Sequence, residues 1–157
     1  MTNTNAQIDP KDEADIRALL VDYVIANDGR AWEKFADIFT ETGTLGNQFA
    51  SYLPGAEAFN GVMPGAGGEA VGTNVGALMR PLDATQHFLG ATWFEPTDEG
   101  ITVRTQVIAH HHRAGRYYHS GGTYVDNFVR TDKGWRIRTR VLETIWTIGD
   151  VTVVTGD

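Results

Sequence analysis

Apolar residues recur at Ile16, Leu19, Leu20, Tyr23 and Val24, the spacing of one helical face. Asp9-Pro10 ahead of them supplies an N-cap and a proline for the first turn, and Asn27-Asp28-Gly29 ends the run. A second, short helix follows, with Trp32, Phe35, Ile38 and Phe39 facing inward, and Thr42 to Gly46 reads as a short strand. Residues 50–68, rich in Gly, Pro and Ala, read as a loop or lid with a short strand, and a third helix is predicted over about 68–80. The pattern then changes to strands near 85–95, 101–113, 117–131 and 134–148. Asp98-Glu99-Gly100, Ala114-Gly115 and Thr131-Asp132-Lys133-Gly134 supply the turns. Helices followed by consecutive hairpins predict an α+β fold, with the helices packed in the hollow of a bent antiparallel sheet and a pocket at the open end.

The 157 residues suit one domain over 11–150, with a flexible lead over 1–10 and a tail over 151–157. A net charge of −7 argues against nucleic acid or an anionic membrane as partner. The absence of cysteine removes disulfides and thiol nucleophiles. The first residues lack the pattern of a signal peptide, and no apolar run reaches bilayer length, so the expectation is a cytoplasmic protein. The Thr, Val and Trp residues of the sheet's outer face predict a homodimer or homotrimer.

All five histidines fall between positions 87 and 119. His87 lies in Thr85-Gln86-His87-Phe88-Leu89-Gly90, and His110-His111-His112 follow on the next strand. Histidine is the side chain whose ordinary pKa lies nearest neutrality, which suits it to proton transfer. Strand alternation places His110 and His112 on one face. His-x-His spacing also suits a metal, with His87 opposite. Without cysteine or a clear further carboxylate ligand, no metal and no cofactor are expected.

Three segments carry a resemblance over about residues 12–148. They are Asn27 to Phe35, with Asp28 four residues before Trp32; Thr85 to Thr92; and Gly134-Trp135-Arg136-Ile137 with Trp146. The chain resembles the nuclear-transport-factor-2-like superfamily, in its SnoaL-like and scytalone-dehydratase-like branch. That resemblance implies a cone-shaped fold and a histidine pair for acid–base work, one histidine held by an aspartate. It maps the held histidine onto His87 and its partner onto Asp28. An ungapped match puts the second histidine at His112, and a one-residue hairpin shift would give His111. Alternation favours His112, with His110 next. The branch's tyrosine before the aspartate is Asn27 here, a second tyrosine falls at Asn47, and polar residues of the penultimate strand fall at Gly122 and Tyr124. Bile-acid dehydratases of the superfamily carry a Tyr, Asp, His and Arg pattern that Tyr23, Asp28, His87 and Arg140 fit.

The expected catalytic set is therefore His87, Asp28, Tyr23, His112 and Arg140. Asn47, Tyr52, His110, Tyr124 and Asn27 are the expected substrate contacts. Asp126 is a further candidate for orienting a histidine on the adjacent strand. The implied activity is that of a dehydratase-like lyase or an isomerase on an aromatic, polyketide-like or steroid-like molecule. An aldol-type cyclase or retro-aldol lyase, and a non-catalytic binding protein, are the alternatives.

Overall fold

Asp9 caps the first helix by accepting a hydrogen bond from the Lys11 amide at 2.8 Å, and the helix, α1, runs Pro10–Asp28. The computed structural model describes residues 7–157, so most of the expected flexible lead lies outside the described residues. Helix α2 (Trp32–Ala36) is a single turn, and it delivers Phe35 to the core. Ile38 and Phe39 are buried as expected, but Phe39 already opens strand β1 (Phe39–Phe49), which is longer than the short strand expected at 42–46. The loop region holds a helical turn, α3 (Ala56–Phe59), and a two-residue strand, β2 (Gly61–Val62). Helix α4 spans Gly68–Met79. Four long strands follow: β3 (Ala84–Thr97), β4 (Gly100–Arg113), β5 (Arg116–Thr131) and β6 (Gly134–Gly149).

The strands form one sheet in the order β2-β1-β6-β5-β4-β3. All neighbours are antiparallel except β1 and β6, which run parallel. The long strands shift register at Leu89/Thr92, Gly121/Gly122 and Asn127/Phe128, and such bulges bend a sheet. Helices α1, α2 and α4 fill its concave side. Ile16, Leu20 and Tyr23 of α1 meet Phe35, Val71 and Val75 over Val103, Phe128 and Ile137. Each such buried side chain contributes roughly 1.5–3 kcal/mol.

The expected C-terminal tail is in fact packed. Helix α5 (Thr152–Thr155) buries Val153 against Leu82 and Tyr118 and closes one side of the cone. Trp93 and Trp146 stand on the outer face with Phe88, Ile108, Tyr117 and Ile148, all exposed. No helix among the described residues is long and apolar enough to cross a membrane.

Candidate active site

Asp28 is the last residue of α1, and the helix end points its carboxylate at the start of β3. Oδ1 lies 2.6 Å from His87 Nδ1 and accepts from the Thr85 hydroxyl at 3.0 Å. Oδ2 accepts from the His87 backbone amide at 2.9 Å. Burial alone would raise the Asp28 pKa, but the hydrogen bonds from His87 and Thr85 outweigh it and hold the carboxyl below its ordinary value. The expected pair of Asp28 and His87 is thus assembled, with the His87 side chain almost wholly buried.

Arg30 supports the pair from the turn after α1. Its Nη1 donates to the Thr85 hydroxyl at 2.8 Å and to the Asn27 carbonyl at 3.0 Å. Thr85 therefore accepts from Arg30 and passes its own proton to Asp28. Arg30 holds φ at 60°, a left-handed conformation that costs a residue with a Cβ about 1–2 kcal/mol. The two hydrogen bonds keep it there.

His87 opens onto a small pocket of about 100 Å³. Its walls are mainly apolar, including Leu45, Phe49, Met63 and Leu142. The polar groups come from Asn27, Asn47, His111, Tyr118, Tyr124 and Arg140. Tyr23, Asn27, Asn47, Tyr124 and Arg140, named in the sequence reading, all line the pocket.

His112 and His110 do not. In the β3–β4 ladder His87 faces Ala109, and facing residues share a side of the sheet. Ala109 and therefore His111 point inward, while His110 and His112 point outward. His111 is 7% exposed, and its ring lies 5.9 Å from that of His87. The second histidine of the pocket is His111. Tyr52 is also displaced: it is 78% exposed and lies off the pocket, near the Ile145 carbonyl.

His111 Nδ1 lies 3.2 Å from the Tyr118 carbonyl, which can only accept, so Nδ1 carries the proton and Nε2 carries the lone pair. Burial first, and then the neighbouring His87, push the His111 pKa down to about 4. His111 is therefore neutral near pH 7 and offers an acceptor, not an acid.

Arg140 is the largest fully buried side chain, in contrast to its neighbours Arg136 and Arg138. Its Nε and Nη2 each donate to the Asp126 carboxylate at 2.6 Å, and its guanidinium carbon lies 3.9 Å from the ring centres of both Tyr23 and Tyr124. Asp126 thus holds an arginine, not a histidine. Burial alone would lower the Arg140 pKa; Asp126 outweighs it and keeps the guanidinium charged. The remaining Arg140 nitrogen, Nη1, is buried without a partner among the described residues, as are the Asn27 Oδ1 and the Tyr118 hydroxyl. An unpaired buried donor costs about 1–3 kcal/mol, which a bound oxygen would recover. Sequence reasoning missed Tyr118, whose only signal was its alternation with His111 across the hairpin.

A cone of this kind, with helices inside a bent sheet and a polar-tipped pocket, is the nuclear-transport-factor-2-like architecture with a cystatin-like fold. The chain belongs to the SnoaL-like family, whose domain model matches residues 10–141. The Kfla4162 protein from Kribbella flavida has a similar crystal structure: TM-score 0.78, 18% identity, 93% of this chain and 98% of that chain covered. A protein provisionally designated a scytalone dehydratase, from Novosphingobium aromaticivorans, gives TM-score 0.71 at 21% identity over 96% of this chain and 92% of that one. A further protein of that organism, described as nuclear-transport-factor-2-like with a cystatin-like fold, gives TM-score 0.61 at 21% identity over 85% and 82%. A search of curated proteins finds no significant match. Family and fold together support a small-molecule-binding or catalytic role.

Proposed function

We propose that the chain is a lyase or isomerase that works by acid–base catalysis on an aromatic, polyketide-like or steroid-like small molecule. The observation that carries this reading is the 2.6 Å contact between His87 and Asp28 at the wall of an apolar pocket. Asp28 takes the Nδ1 proton of His87 in a hydrogen bond, which leaves the Nε2 lone pair as the base. His87 removes a proton from carbon next to a carbonyl, and the electron pair moves onto the carbonyl oxygen. Arg140, with its unpartnered Nη1, stabilises that oxyanion, and Tyr23 lies beside it. The His87 imidazolium, stabilised by Asp28, then returns its proton. Given to a departing hydroxyl, it releases water; given to another carbon, it completes an isomerisation. Because His111 is neutral and an acceptor, it binds a substrate hydroxyl in this scheme. One base therefore carries the proton both ways. Retro-aldol cleavage or its reverse, with the same proton transfers, is the alternative on this template. The exposed apolar outer face supports a homodimer or homotrimer.

The test is deuterium exchange and water loss in heavy water, followed by mass spectrometry on a series of aryl β-hydroxy ketones. His87→Ala should slow exchange by roughly 10²–10⁴-fold with an unchanged circular dichroism spectrum. Asp28→Asn should also slow it, because the held tautomer is lost. Undiminished exchange in folded His87→Ala would refute the mechanism.

A further inference from the structure

On the outer face, His110, His112 and His119 bring three imidazoles together. His110 and His112 share the outward side of β4, and His119 is the register partner of His110 on β5. One nitrogen from each ring lies within 4.8 Å of the others. The closest pair, His112 Nε2 and His119 Nε2, are 3.3 Å apart. The rings of His110 and His119 are 4.2 Å apart at 62°.

We propose that these three residues form a binding site for a divalent transition metal of the zinc class, separate from the pocket that holds His87. Two nitrogens bound to one tetrahedral zinc at about 2.0–2.1 Å stand about 3.3 Å apart, so His112 and His119 already match that spacing. His110 offers a third nitrogen within 4.8 Å of both. The donor set is three neutral nitrogens, which suits Zn²⁺, Ni²⁺, Cu²⁺ or Co²⁺ and disfavours Mg²⁺ and Ca²⁺. A metal requires unprotonated imidazoles.

The surroundings fit as well. Two antiparallel strands fix the Cα positions of all three ligands, so little chain entropy is lost on binding. Phe88 packs its ring edge-on 5.7 Å from His110, and Tyr117 lies 4.8 Å from His119, so an aromatic rim flanks the cluster. Three protein ligands leave the fourth zinc position to water. His111 lies between two of the ligands on the same strand but faces the pocket. This proposal does not depend on the catalytic reading of His87.

The experiment uses the full chain without a histidine tag, freed of metal by a chelator and titrated with zinc chloride by calorimetry near pH 7.5. The expected result is one saturable zinc per chain at micromolar metal and a raised melting temperature. His119→Ala and His112→Ala alter half-buried and exposed side chains, and each should weaken binding by roughly tenfold or more. His87→Ala should bind zinc as the unaltered chain does. A crystal soaked in zinc should show anomalous scattering among the three rings. Absence of saturable binding, equal binding by folded His119→Ala, or loss of binding in His87→Ala would overturn the proposal. In the first two cases the cluster is a hydrogen-bonded histidine pair with an edge-on neighbour, and in the third the metal lies in the pocket.

Discussion

Acidification should destabilise this protein through His111 well before most carboxylates titrate. The folded chain holds His111 at a pKa of about 4, against an ordinary value of 6.5 in the unfolded chain. Between these limits the unfolded chain binds a proton at His111 that the folded chain does not. Stability is therefore fully present above pH 6.5 and falls as the pH drops toward 4. One pH unit of such a gap corresponds to about 1.4 kcal/mol, so the gap of His111 accounts for at most about 3–4 kcal/mol. The side chain is 7% exposed, so solvent screening reduces this little. His111→Gln removes the titration while keeping a donor for the Tyr118 carbonyl. Urea unfolding at a series of pH values from 7.5 to 4.5 should show a shallower loss of stability in the variant. The difference should approach about 1.4 kcal/mol per pH unit in the middle of the range. His119, whose pKa is also lowered, acts in both chains and cancels in the comparison. Equal slopes in the two chains, or a nuclear magnetic resonance titration of His111 near pH 6.5, would refute the reasoning.

Asp126→Ala should cost about 3–5 kcal/mol in a denaturant melt, because it leaves the Arg140 charge buried and unpaired. A loss below about 1 kcal/mol would mean that water reaches Arg140 freely. Gly122→Ala should destabilise by about 1–3 kcal/mol, since the added Cβ would meet the Glu143 carbonyl oxygen, a backbone atom, at 1.9 Å. Gly121→Ala should cost less, because the clash is with the half-exposed Trp146 ring, which can swing outward. Thermal melts of the two variants check that order, and the reverse order would contradict it.

Much of the architecture was legible because it depends on local periodicity. The apolar face of α1, its Asp9 cap and the turns between the long strands are all read within a few residues. The pairing of Asp28 with His87, 59 positions apart, came from the resemblance, and the end of α1 realises it. The face of each histidine was a different problem. Alternation states that His110 and His112 share a side, but not which side. That sign is set by the pairing of His87 with Ala109 across the hairpin, a tertiary fact.

Arg140 shows the same limit more sharply. Counting by twos from Arg136 and Arg138 places it on the outer face. Between Ile137 and Thr139, however, Arg138 is an extra residue opposite the Phe128–Asn127 step, and this bulge reverses the alternation. Arg140 therefore turns inward onto Asp126, Tyr23 and Tyr124. No local signal marks the bulge, because it arises from bending the sheet around its helices.

The sequence by itself determined the order of the main elements and the cone, since helical and strand periods and caps are properties of short segments, and the resemblance pointed to Asp28 beside His87. The tertiary structure decided which histidines share the pocket, which form a separate outer cluster, and where the buried guanidinium points. Those outcomes depend on strand register and bulges, where one residue of shift exchanges the inside of the sheet for the outside.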